Sequence, residues 1–375
     1  MRFRPFLMER YQSLHEHAVA MNLTGSGVHA PTLDELEAIA PGVTDGLGSV
    51  YLGYVQTNGS IGLRTRVAAL YDDATQEHVE ITNGGAEANF CLLGALLDPG
   101  DRVVMMTPNY MQPWGAAEGF GAELTAWPLR FDGSTWRADL DELDRLAGPG
   151  TKLIAICTPN NPTGMRLRGD ELDRIAEIAA ERGAWVLSDE IYAGSELDDV
   201  PTPSMWGRYE RVVCTSGLSK AYGLPGLRIG WIVAPPELIE ACWTVHDYTT
   251  ICPSALNDHV ATKVLEPAAR DALLERGRAI LGGNLAATSA VLRDEAPDWR
   301  WALPEAGGML FVGYGDEPNS TDLAERMRLR HSVLVVPGDH FGMDGFLRLG
   351  LGSAPETLRG GVAALLEELK AERTS

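Results

Sequence analysis

The segment Ser216-Gly-Leu-Ser219-Lys220-Ala-Tyr-Gly-Leu-Pro-Gly-Leu-Arg228-Ile-Gly-Trp231 sets a lone lysine among small and apolar residues, just after an apolar run. An ammonium in such surroundings is desolvated, which lowers its pKa from ~10.4 and frees a nucleophilic amine. Imine formation with a carbonyl compound needs that amine. Arg228 and the hydroxyls of Ser216 and Ser219 in the same segment are a set able to hold a phosphate. A solvent-facing loop lysine is the plain alternative.

Other segments bring complementary chemistry. Ser188-Asp189-Glu190-Ile191-Tyr192 ends an apolar run with a carboxylate. A carboxylate there is costly unless a cation pairs with it, and a protonated pyridine nitrogen is such a cation. Tyr192 can donate to a phenolate oxygen. Thr158-Pro-Asn160-Asn161-Pro162-Thr163-Gly164 adds an amide donor after another run. Asn83-Gly84-Gly85-Ala86-Glu87-Ala88 stands between a run and the apolar stretch NFCLLGALL. Bare amides at a helix N-terminus make an anion site. Pro108-Asn109-Tyr110 supplies an aromatic face after a further run.

Taken together, in this order, the motifs resemble those of the class I/II aminotransferases, pyridoxal-phosphate enzymes of fold type I. The resemblance covers nearly the whole chain. It implies that Lys220 forms an imine with pyridoxal 5'-phosphate and that Asp189 pairs with the pyridine nitrogen. It gives Asn161 and Tyr192 to the ring's 3-oxygen and Tyr110 to the ring face. It gives Gly85, Ala86, Ser219 and Arg228 to the phosphate, with Gly84 and Ser216 among the cofactor contacts. Tyr54, in Tyr54-Val-Gln-Thr-Asn-Gly59, matches a tyrosine that reaches the phosphate of a partner subunit, so a homodimer is implied. Arg348, in Phe-Leu-Arg-Leu-Gly-Leu-Gly, matches the arginine that grips the substrate α-carboxylate. Asn161, Gly27 and His29 complete the implied substrate contacts. Lys220, Asp189 and Tyr192 are the implied catalytic set, with an amino acid as substrate and an oxo acid as acceptor.

Several positions depart from the family pattern. Ala86 and Glu87 stand where many relatives carry Ser, Thr or Gln, so backbone amides must carry more of the phosphate. Gly217 stands where a serine is common. The segment Asp247-Tyr248-Thr249-Thr250-Ile251-Cys252 and Asp339-His340-Phe341 are also unusual, and both are placed to shape a substrate pocket. Ser26-Gly-Val-His29, LSKAYGLPGLR and VLVVPG are most similar to the capreomycidine synthase-like subgroup. Some of its members do not transaminate. Elimination, replacement, cyclisation or oxidative deamination therefore stands beside transamination. A non-catalytic sensor module is disfavoured, because Lys220 is present and the chain is strongly acidic.

These residues need a scaffold. Apolar runs at 78–84, 102–108, 153–159, 185–190, 211–216 and 229–234, with a weaker one at 123–129, read as strands buried on both faces, as in a mostly parallel sheet. Helical patterns alternate with them, for example 169–183, where Leu172, Ile175, Ala176, Ile178 and Ala179 share a face and Gly183 is the stop. The expectation is an α/β fold: a large domain over 46–265 with a mostly parallel seven-stranded sheet between helices, and a smaller α+β domain from 1–45 and 266–375. Sites are expected at the carboxyl ends of the strands.

The stretch Gly25-Ser-Gly27-Val-His29-Ala30 fits G-x-G-x-x-A, but no convincing strand precedes it and Pro31 follows, so dinucleotide binding is not the reading. A flexible Gly-rich segment is the plain reading, and such a segment could also lie over an active site. The formal net charge of −21 opposes nucleic acid and anionic lipid as partners. No apolar run spans a bilayer, and MRFRPFLMERYQ has no long apolar h-region. Five scattered cysteines show no CxxC pair, so no metal site or disulfide framework is expected. These features together suggest a cytoplasmic protein.

Overall fold

A computed structural model describes residues 2–315 and 319–373. Seven strands form the central sheet: β1 (Val79–Thr82), β2 (Arg102–Thr107), β3 (Glu123–Pro128), β4 (Thr151–Cys157), β5 (Trp185–Asp189), β6 (Val212–Gly217) and β7 (Gly230–Val233). Their order is β1-β7-β6-β5-β4-β2-β3. Strand β7 is antiparallel to both neighbours, and the remaining pairs are parallel. Each strand overlaps a run expected from sequence, with β4 starting two residues before its run and β6 ending one residue after its run. Strands β1, β6 and β7 are buried at every position, which is why they read as unbroken apolar stretches. The weaker run is β3, at the sheet edge and half-exposed.

Five helices bear on the site: α1 (Leu7–His15), α2 (Gly85–Leu96), α3 (Gly169–Arg182), α4 (Pro236–His246) and α5 (Pro267–Glu295). Successive strand residues face opposite layers. Val103, Met105, Leu187 and Ile232 pack with Leu92, Leu96, Leu238 and Cys242 of α2 and α4. Val104, Ile154, Val186 and Trp231 pack with Leu172, Ile175 and Ile178 of α3 on the other side. Gly183 caps α3 at φ 63°, the left-handed stop read from the sequence.

A second, antiparallel sheet is built from β8 (Arg300–Trp301), β9 (Met309–Gly313), β10 (Val336–Pro337) and β11 (Phe346–Gly350), in the order β8-β9-β11-β10. The N-terminal segment adds no strand to the central sheet. Met21–Asn22 instead pairs with Val333–Leu334, and Leu23 is buried with Leu310, Leu347 and Leu349. Helix α5 contributes Leu273 to the core of the large sheet and Leu281 and Leu292 to that of the small one.

Candidate active site

Register places the site. Cys157 pairs with Asp189, and Asp189 with Thr215, so the carboxyl ends of β4, β5 and β6 lie side by side. Above them is a cavity of about 540 Å³ lined by Gly85, Ala86, Tyr110, Asp189, Tyr192, Ser219, Lys220 and Arg228, with Thr24 and Gly25 from the N-terminal segment and Glu9, Gln12 and Glu16 from the α1 region.

Lys220 is half-buried. Desolvation, reinforced by the Arg348 charge, lowers its amine to about 8. Burial raises the carboxyl of Asp189, against hydrogen bonds from Asn89 and the Ile191 amide and the attraction of Lys220. Asn89 Nδ2 donates to Asp189 Oδ2 at 3.2 Å and its own Oδ1 accepts from Thr215, which fixes the carboxylate's orientation. Burial also raises the Tyr192 phenol, whose hydroxyl donates to Ser26 Oγ at 2.8 Å. Tyr110 donates to Glu9 Oε1 at 3.0 Å.

Gly84 is the N-cap of α2 at φ 92° and offers no side-chain cap. The first amides of a helix have no intrahelical acceptor, so Gly85 and Ala86 present theirs to the cavity. Arg228 lies along this turn and donates from Nη2 to the Asn83 carbonyl at 3.1 Å. Nearby, Gly217 meets a steric demand: a Cβ there would stand 2.7 Å from the carbonyl of Ile229, the residue before β7.

Other expected residues stand behind or beside the wall. Arg348 is 1% exposed. Its Nη1 donates to Asn161 Oδ1 at 2.9 Å and its Nη2 to the Thr24 carbonyl at 2.5 Å, while Nε has no partner. Gly27 packs on the backbone of Lys220, where a Cβ would come within 2.9 Å of its Cα. The Gly-rich segment thus lies against the backbone of Lys220. The His29 ring bonds the Gly352 carbonyl at 2.9 Å, and the Ser216 hydroxyl donates to the Glu190 carbonyl at 3.2 Å. Neither is on the cavity wall. Tyr54 is 83% exposed and also away from it.

The residues present fit pyridoxal phosphate: an amine, a carboxylate, a helix N-terminus beside an arginine, and an aromatic face converge on one cavity of suitable chemistry. The model of the family described as aminotransferase class I and II matches residues 24–365. The chain belongs to that family. Capreomycidine synthase of Streptomyces vinaceus is 33% identical to this aminotransferase-family chain, over 97% of it and 92% of the relative. A solved pyridoxal-phosphate-dependent aminotransferase from Streptococcus suis matches it with a TM-score of 0.91 at 33% identity, covering 99% of each chain. The pyridoxal-phosphate-dependent cyclase OrfR matches at 0.89 and 29%, covering 99% of this chain and 98% of that one. The architecture is that of fold type I enzymes, as expected.

Two features escaped the sequence reading. One is α1 with its following turn, whose Glu9, Gln12 and Glu16 line the cavity. The other is a buried chain of charges beside the Asn83–Ala86 turn. His246 Nδ1 lies 2.7 Å from Glu80 Oε1, and its Nε2 lies 3.5 Å from Glu87 Oε2. A carboxylate inside the apolar run of β1 was the available signal, since burial demands a cation beside it.

Proposed function

We propose that this chain is a pyridoxal-phosphate-dependent aminotransferase acting on an α-amino acid. The observation that carries the reading is Lys220 sharing one cavity with Asp189 and the N-terminal turn of α2. When bound, pyridoxal phosphate supplies the electron sink that lets the α-proton leave an amino acid.

The protein's part follows from its own groups. Gly85, Ala86, Ser219 and Arg228 would hold the phosphate, and Tyr110 would cover the ring. Asp189 would pair with a protonated pyridine nitrogen, a cation that would compensate its buried charge. Asn161 and Tyr192 would orient the ring's 3-oxygen. Lys220 would hold the cofactor through Nζ. Its free amine, at about 8, then accepts the α-proton at Nζ near neutral pH. Arg348 offers a guanidinium with an unpaired Nε to the substrate carboxylate. Helix α1 contributes Glu9 and Gln12 to the cavity wall.

Large-scale organisation follows the same reading: 46–265 as the cofactor domain, both termini as the small domain, and a cytoplasmic homodimer. Exposed Tyr51, Leu52 and Tyr54, at 77–85%, support a covered interface. No helix among the described residues is long and apolar enough to cross a membrane.

A second reading is cyclisation or elimination. It is favoured by the capreomycidine synthase and cyclase relatives, which match as extensively as the aminotransferases do. One experiment separates the two. Given a turned-over amino acid and no acceptor, a transaminase converts its cofactor stoichiometrically to the pyridoxamine form, and an oxo acid restores it. Turnover without an acceptor, with the starting spectrum kept, replaces the first reading by the second.

A further inference from the structure

A dianionic phosphate and Glu87 compete for the same end of α2. Glu87 stands in the first turn of that helix, where the dipole favours an anion. Left free, its carboxylate would repel the phosphate. Instead it folds away from the cavity. Oε2 accepts the Asn83 amide at 2.5 Å, and Oε1 accepts the hydroxyls of Thr249 at 2.6 Å and Thr250 at 2.8 Å. His246, at the end of α4, faces it from the third side and is anchored by Glu80, which is fully buried. Burial would raise the Glu87 carboxyl, but the hydrogen bonds from His246, Thr249, Asn83 and Thr250 hold it at about 2. Burial would lower His246, and the two carboxylates raise it to about 9. The Asn83 side chain also reaches Thr250 Oγ1 and the Cys252 carbonyl.

We propose that Glu87 is a positioning residue for the cofactor phosphate: held by His246 and by Thr249 and Thr250, it clamps the Asn83–Ala86 turn so that the Gly85 and Ala86 amides face the cavity. This gives the unusual 247–252 segment a task, bracing the phosphate turn from outside. It also answers the departure at Ala86 and Glu87. A phosphate turn without hydroxyl contacts depends on its backbone amides, and Glu87 sets their direction. The inference rests on the cofactor assignment above.

The test titrates cofactor-free protein with pyridoxal phosphate and, separately, with pyridoxal, which lacks the phosphate. Glu87→Ala should weaken pyridoxal phosphate about tenfold or more, the loss of one to two hydrogen bonds' worth of positioning, while pyridoxal changes by less than about twofold. Glu87→Gln keeps an oxygen for the Asn83 amide and should stay within about threefold of wild type. Thr249→Val with Thr250→Val, both exposed, should fall between and decides the matter if Glu87→Ala does not fold. Inorganic phosphate should lose its ability to compete with pyridoxal phosphate in the same order. Equal weakening of both ligands, or pyridoxal phosphate bound as well as or better than by wild type, overturns the proposal. A wild-type protein that captures neither ligand overturns the functional reading, and this inference with it.

Discussion

Arg348 Nη1 donates to Asn161 Oδ1 across 2.9 Å, joining the middle of β11 to the turn after β4. The second bond, from Nη2 to Thr24, brings in the N-terminal segment. Three distant stretches of chain therefore meet on one guanidinium, stacked 5.3 Å from the ring of Phe341. A group so enclosed is pre-oriented before any ligand arrives.

Removing that group should abolish substrate binding more than cofactor binding. Losing a desolvated charge-assisted contact costs on the order of 2–5 kcal/mol, much of it from the carboxylate left unpaired. Arg348→Ala should keep its cofactor absorbance and lose amino-acid affinity by spectral titration. Arg348→Lys should recover only part, because an ammonium cannot copy the planar fork. An Arg348→Ala enzyme that binds the amino acid normally sinks the assignment.

Lys220 should carry the cofactor covalently. After borohydride reduction, mass spectrometry should find the pyridoxyl group on the peptide containing Lys220. A label on another lysine, in protein purified with its cofactor, contradicts the site described above.

The amine of Lys220 should titrate low in cofactor-free protein. Desolvation comes first and the positive charge of Arg348 second, and both disfavour the ammonium. Acetylation of Lys220 should therefore rise with pH around a midpoint near 8, in place of the ~10.4 of a solvated lysine. Arg348→Ala removes a neighbouring cation, so the midpoint should move upward. A wild-type midpoint near that of free lysine means that the amine is solvated.

Tyr54 should act across a subunit boundary. Alone it is solvent-exposed and does not line the cavity. Lys220→Ala and Tyr54→Ala chains, each inactive or weakened, should regain activity when mixed into heterodimers, because one of the two sites is then intact. Verified mixed dimers without recovery would place Tyr54 outside the chemistry.

The strands and the anchor residues were legible because each carries its own physical demand. An apolar run such as 211–216 must be covered on both faces, and a lysine or carboxylate at its end must be matched by something. The bonds of Ser216 and His29 to backbone carbonyls were not legible for the complementary reason: a polar side chain finds a carbonyl wherever one lies nearby, and sequence does not reveal which. The Glu80–His246–Glu87 chain joins residues separated by up to 166 positions, so no local spacing announces it. Only the oddity of a carboxylate inside β1 pointed there. The place of α1 over the cavity depended on tertiary packing that the N-terminal segment does not encode in its own periodicity.

Helix α5, 29 residues long, behaves mechanically as a rod of about 44 Å. One end is embedded beneath the large sheet and the other beneath the small one. Between them, at Gly277, the rod bears on the carbonyl of Ala221, where a Cβ would stand 3.0 Å away. That carbonyl belongs to the residue next to Lys220. Any tilt of the small sheet, which carries Arg348, would press on this contact beside the lysine, and a side chain added at 277 would crowd it.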